Sequence, residues 1–176
     1  MADVRVLTTA AAAPPVLQRI RRLLVEAFDG DFSEDDWKHA LGGWHVLVTD
    51  EGAVAHAAVV PRTIEFGERP WRSGYVEAVA TAPSRRGEGL GSLAMTEAGE
   101  VVRRRFEVGV LSTGRHGFYE RLGWERWRGP SFVRHGDQRI RTPDEDDGIM
   151  VLRFGPGLEL RLTDPIVCQA RSGDDW

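Results

Sequence analysis

One stretch constrains this chain more than any other. The apolar segment YVEAVA, residues 75–80, passes through TAPS into RRGEGLGS, and an amphipathic pattern begins at once. That is strand, glycine turn and helix in immediate succession. Gly87, Gly89 and Gly91 fall on alternating positions just where the helix is due to start. Glycine serves where a main chain takes left-handed conformations or comes close to another group. The first turn of a helix leaves N–H groups without intrahelical partners, at the positive end of the helix dipole. The segment, which also carries Arg85 and Arg86, therefore predicts a backbone site for an anion, with a bland turn as the alternative. It is not a P-loop, since no Gly-Lys-Ser/Thr follows, and it lacks the last glycine of a dinucleotide fingerprint.

The flanking pattern predicts the rest of the architecture. Val4–Leu7 reads as a short strand, and Pro14-Pro15 opens a helix whose face is Val16, Leu17, Ile20, Leu23, Leu24, Ala27 and Phe28. Ser33 with Asp36 resembles a capping box before a second short helix, closed by Gly42-Gly43. Strands are expected at Trp44–Val48, Ala53–Phe66 and Tyr75–Thr81, with turns at Asp50-Glu51-Gly52 and Gly67-Glu68-Arg69-Pro70. After the glycine loop, Leu90, Leu93, Ala94, Ala98, Val101 and Val102 recur at helical spacing up to Arg103-Arg104-Arg105, a basic run suited to a helix C-terminus. A strand at Glu107–Ser112, a helical face of Phe118, Tyr119 and Leu122 ended by Gly123, and a last strand at Ile149–Phe154 complete a β-α-α-β-β-β-α-β-α-β order. The expected class is α/β in the α+β sense, as a single domain over residues 1–176.

Composition narrows the function. With 27 acidic against 23 basic residues the net charge is −4, which gives no electrostatic case for nucleic acid. The lone Cys168 excludes an intramolecular disulfide and any multi-cysteine metal motif, and His39, His45, His56, His116 and His135 have no metal-binding spacing. No metal is expected. No apolar run reaches membrane-spanning length and the N-terminal residues carry no targeting pattern, so a cytoplasmic, non-membrane protein is expected.

Arg86-Gly87-Glu88-Gly89-Leu90-Gly91 matches the Arg/Gln-x-x-Gly-x-Gly/Ala signature of the GCN5-related N-acetyltransferases, and FYERLGW resembles that family's Tyr-x-x-x-Gly-Phe/Trp segment. FDGDFSEDDWKHALGGWH, GYVEAVA, RTPDEDDG and the terminal GDDW look more particularly like aminoglycoside 2′-N-acetyltransferases, a likeness covering nearly the whole chain. The resemblance implies the GNAT fold: a mixed, mostly antiparallel central sheet, splayed between its fourth and fifth strands and flanked by helices. It implies acetyl-CoA as cosubstrate and direct transfer of acetyl to the 2′-amine of a bacterial drug of the kanamycin, gentamicin, tobramycin or kasugamycin type. It also implies antibiotic resistance and a homodimer.

Carried over by position, the resemblance puts coenzyme A on the main chain of Val79 and Thr81 and on the loop Arg86, Gly87, Glu88, Gly89, Leu90, Gly91 and Ser92. Glu77 would be the base and Tyr119 the general acid, with the Val79 N–H as oxyanion donor. Strand alternation sets Glu77 and Val79 on one face. Sugar and amine contacts are implied for Asp31, Glu77, Ser112, Glu145 or Asp146, Asp174 and the carboxylate of Trp176. The acidic clusters at 29–36, 144–147 and 174–175 suit a polycation, although capping and solvated loops explain single carboxylates equally well. The sequence departs from the family at His116-Gly117 and in the loop SFVRHGDQRIRTPDEDDG, where Glu145 and Asp146 cannot be told apart. Other readings of the same residues are an acetyltransferase for another small amine or a peptide N-terminus, and a non-catalytic binder of coenzyme A or drug.

Overall fold

The computed structural model describes residues 1–176. It holds ten strands and four α-helices in two compact units, Met1–Val60 with Val76–Val101 and Pro61–Tyr75 with Val102–Trp176.

The first unit begins with β1 (Asp3–Thr8), which pairs antiparallel with β2 (Trp44–Thr49) from Thr8↔Trp44 to Asp3↔Thr49. β2 pairs antiparallel with the early residues of β3 (Ala53–Phe66), Trp44 meeting Val59. Helix α1 (Pro14–Ala27) starts on two prolines, whose missing N–H groups cost nothing in a first turn. It buries Ile20, Leu23 and Leu24 as the spacing predicts, while Phe28 caps the helix half-exposed and stacks on Phe32. Helix α2 (Glu34–His39) has the expected capping box: Ser33 Oγ accepts from the Asp36 N–H at 3.1 Å, and Asp36 Oδ2 accepts from the Ser33 N–H at 2.7 Å. Ile20, Leu24, Trp37, Ala40, Leu47, Ala58 and Ala80 form the core of this unit.

Strand β4 (Arg69–Thr81) starts earlier than the apolar pattern predicts, because Arg69 and Pro70 join the strand and the turn shrinks to Gly67-Glu68. Helix α3 (Leu90–Arg105) follows the glycine loop and ends on the three arginines. It buries Leu90, Ala94, Met95, Ala98, Val101 and Val102, but Leu93 lies at the surface.

The second unit contains the later part of β3 and the earlier part of β4. It adds β5 (Val108–Ser112), α4 (His116–Glu120), β6 (Glu125–Arg126), β7 (Ser131–His135), β8 (Gln138–Arg141), β9 (Ile149–Leu152) and β10 (Ile166–Gln169). The strand order is β6-β9-β5-β4-β3-β10-β7-β8. β4 with β5 and β7 with β10 are parallel, and the other registered pairs are antiparallel. The β4–β5 register stops at Tyr75↔Val110, so the residues of β4 beyond Tyr75 have no partner in β5.

Four of these strands lie outside the sequence prediction. The segment 131–141 reads as a loop because SFVRHGDQRIR alternates aromatic, apolar and charged side chains without a sustained apolar face, yet it forms the β7–β8 hairpin around Gly136. β6 and β10 are too short to show a period of their own and exist through pairing with β9 and with β7. α4 stops at Glu120, leaving Leu122 outside the helix, and Gly123 takes the left-handed φ of 88°.

Candidate active site

In the first unit the loop from Arg85 to Ser92 is exposed at Arg86, Gly87, Glu88 and Gly89. Gly87 and Gly89 have φ of 87° and 80°, and a Cβ built on either would touch nothing, so backbone conformation rather than space demands glycine. The first bond of the helix is Leu93 N–H to Gly89 O at 3.0 Å. The N–H groups of Leu90, Gly91 and Ser92 thus belong to the helix's unpaired first turn. The ionic side chains here satisfy one another. Arg85 Nε donates to both Glu88 oxygens at 2.8 Å and Arg85 Nη2 to Asp50 at 3.0 Å, which holds both carboxyls below their usual range. Arg86 donates to Ala27 O at 2.8 Å. An anion at this loop would be met by main chain.

Glu77, Val79 and Thr81 are half-buried on the last stretch of β4. Ala78 between them has φ of 50°, a left-handed conformation rare for a residue with a Cβ. β4 runs on through this residue, and a left-handed residue between Glu77 and Val79 is a departure from the regular pleat on which the same-face expectation rests. The Ala78 carbonyl bonds to buried His56 Nδ1 at 2.8 Å. Asp31 is exposed in the turn between α1 and α2, its N–H donating to Phe28 O, while Asp36 caps α2 and Asp35 pairs with Lys38.

In the second unit Ser112 is exposed at the end of β5. Tyr119 on α4 is 8% exposed and packs edge-on against Phe118 and Trp124. Its hydroxyl pairs with the Thr113 side chain, yet burial pushes its pKa up to about 12. His116 bonds through Nε2 to Asp147 O, joining α4 to the acidic loop.

That loop separates two adjacent carboxylates. Asp146 Oδ1 accepts from Ser131 N–H, Ser131 Oγ and Arg141 Nη1, each at 2.8 Å, and Oδ2 accepts from Arg141 Nη2. Its pKa falls to about 2, with the Arg141 bonds the largest cause. Glu145 is pushed up instead, by burial first and then by Asp174, Asp144 and Asp175. Trp176, buried, donates from Nε1 to Thr142 Oγ1 at 3.2 Å, and the same Thr142 oxygen bonds Ser131 Oγ. Asp174 is exposed beside Arg171, which donates to its backbone carbonyl. Glu145 and Asp174 thus share an acidic environment, whereas Asp146 is committed to holding the loop. Cys168 is a buried thiol raised to about 11 by burial.

Sequence reasoning weighed the histidines only as metal ligands and missed His45 and His56, both fully buried. The available signal was their position inside the apolar runs WHVLV and AVAHAAVV, where a polar side chain needs a partner.

The chain resembles known proteins in both sequence and fold. Residues 12–127 match the family model described as an acetyltransferase (GNAT) domain. A curated relative from Mycolicibacterium fortuitum, named aminoglycoside 2′-N-acetyltransferase, is 44% identical over 89% of this chain and 83% of its own length. Among solved structures, a GNAT family N-acetyltransferase from Escherichia coli in complex with CoA superposes with a TM-score of 0.67 at 18% identity, covering 95% of this chain and 89% of that one. A GNAT family acetyltransferase from Brucella melitensis in complex with acetyl-CoA gives 0.62 at 18% identity, covering 93% and 94%.

Proposed function

The chain belongs to the GNAT acetyltransferase family, and we propose that it moves the acetyl group of acetyl-CoA directly onto the 2′-amino group of an aminoglycoside. The observation that carries the substrate class is the 44% identity to the M. fortuitum enzyme, and the acidic surround of Glu145, where burial and the charges of Asp174, Asp144 and Asp175 oppose ionisation, is consistent with it. A carboxylate held that way gains by meeting a cation, and an aminoglycoside supplies several. The similarity to the M. fortuitum enzyme supports the finer choice of amine.

The residues present fit acetyl-CoA. The unpaired first turn of α3 and the left-handed glycines before it suit a pyrophosphate. The stretch Val79–Thr81, on the part of β4 without a β5 partner, suits strand-like pairing with an extended amide chain. When bound, acetyl-CoA supplies an activated thioester. Glu77 takes the proton of the attacking amine, directly or through water. The Val79 N–H holds the oxygen that gathers negative charge. Tyr119, protonated at neutral pH as any tyrosine is, donates its proton to the departing sulfur. Glu145, Asp174, Ser112 and Asp31 are assigned to the cationic, hydroxyl-rich substrate.

A cytoplasmic setting and protection of a bacterial host from such drugs follow from this reading. The test is thiol release from acetyl-CoA with aminoglycosides that do or do not carry a free 2′-amine, followed by location of the acetyl group by mass and NMR. Release confined to 2′-amino compounds, with acetyl on that nitrogen, is the expected result. Saturable acetyl-CoA binding with no release from any aminoglycoside would move the assignment to another amine.

A further inference from the structure

A chain of hydrogen bonds crosses the interior of the first unit with no charged member. Gly42 N–H donates to Thr9 Oγ1 at 3.0 Å, and Thr9 Oγ1 lies 2.8 Å from His45 Nε2. His45 Nδ1 lies 3.0 Å from His56 Nε2, and His56 Nδ1 lies 2.8 Å from Ala78 O. The last acceptor fixes the direction of all the others. A carbonyl can only accept, so His56 carries its proton on Nδ1. In a neutral ring Nε2 is then the acceptor, so His45 donates from its own Nδ1 and accepts at Nε2 from the Thr9 hydroxyl. Protonating His56 would require His45 to change tautomer and the Thr9 hydroxyl to turn toward Gly43 O at 3.5 Å, and full burial already disfavours the charge.

The end of this chain is the peptide between Ala78 and Val79. A trans peptide is planar, and its C=O and N–H point in opposite directions. Holding the Ala78 carbonyl toward buried His56 therefore turns the Val79 N–H the other way, and rotating that peptide would move both groups together. The left-handed φ of Ala78 is a conformation that persists only where its surroundings impose it.

We infer that His56, its tautomer set by His45 and Thr9, is a positioning residue that aims the Val79 N–H and keeps the Ala78 kink beside Glu77. This rests on the proposed role of Val79 as oxyanion donor. Packing alone would be served as well by an apolar side chain of similar size, and a buried polar chain with every member paired is the costlier arrangement unless orientation matters.

The experiment compares wild type with His56→Leu, His56→Asn and Thr9→Val. In His56→Leu, kcat is expected to fall on the order of 10- to 100-fold, with acetyl-CoA affinity and aminoglycoside KM nearly unchanged. His56→Asn, whose amide nitrogen can donate from the place of Nδ1, recovers most of that loss although it fills less space. Side-chain ¹⁵N spectra of the wild type show both rings neutral with the proton on Nδ1. The Val79 amide resonance shifts in His56→Leu and returns in His56→Asn. Thr9→Val, nearly isosteric and distant from the chemistry, gives a smaller kcat loss and keeps the inference testable if the leucine variant fails to fold. An Nε2–H tautomer at His56, or unchanged kcat in the folded leucine or valine variants, would overturn it. Failure of the proposed function looks different: wild type inert toward every aminoglycoside, with tautomers and Val79 amide as described.

Discussion

Two polar networks each hold backbone next to a residue with a proposed chemical role, and they do so by opposite means. In the first unit, Thr9, His45 and His56 hold the Ala78 carbonyl with neutral groups, fully buried in both rings. In the second, Asp146, Arg141, Ser131 and Thr142 hold the loop that presents Glu145 with a charged pair near solvent. A neutral network tolerates burial but is vulnerable to protonation, whereas an ionic one tolerates water and acid down to the pKa of its carboxylate. The two should therefore fail at different pH.

The largest expected effect follows from the histidines. Both have folded pKa values depressed by burial, so the unfolded chain binds protons that the native chain refuses. Their contribution is fully present above the unfolded value and is lost as pH falls from about 6.5, at about 1.4 kcal/mol per pH unit for each ring. Urea unfolding followed across pH 7 to 4 should show up to two protons taken up on unfolding, and His45→Leu or His56→Leu should flatten the curve. A curve that is flat in the wild type would break the comparison.

Next comes Asp146. Its pKa is lowered from 3.8 to about 2, so its stabilisation persists above the unfolded value and is lost only as pH falls from there toward the folded one. After discounting for solvent screening, Asp146→Asn is expected to cost about 1–2 kcal/mol at neutral pH, read as a lowered Tm. The cost should vanish toward pH 2.

Gly89→Ala probes the backbone loop. A Cβ meets no neighbour there, but the left-handed φ costs about 1–2 kcal/mol, which should raise the KM for acetyl-CoA roughly 10-fold and leave that for the aminoglycoside alone. Glu145→Gln should do the reverse, raising the aminoglycoside KM a few fold in a salt-sensitive way without loss of Tm. Because the Glu145 pKa is raised, its charge opposes folding, and neutralising it relieves repulsion. The smallest effect belongs to Glu88→Gln, whose carboxylate is taken by Arg85: under about twofold on acetyl-CoA KM.

How far the sequence carried depends on which part of a residue does the work. Where backbone conformation is the requirement, glycine announces it, and the loop before α3 was legible for that reason. The α1 face and the α2 capping box were legible because local spacing and a local bond specify them. The β7–β8 hairpin was not, since its pairing with β10 is set by partners far along the chain. Neither was the division of labour between Glu145 and Asp146. Adjacent carboxylates look alike in sequence, and only the position of Arg141 and Ser131 commits one of them. The kink at Ala78 left no signal at all, because alanine is not a residue that advertises a positive φ.

The most direct measurement of the central claim is single-turnover acetyl transfer by wild type, Glu77→Gln and Tyr119→Phe, with acetyl-CoA affinity measured alongside. Losses of about 10²- to 10⁴-fold in each variant, with the affinity retained, are predicted for a base and an acid acting in the transfer step. Turnover equal to wild type in the folded Glu77→Gln protein would contradict the account.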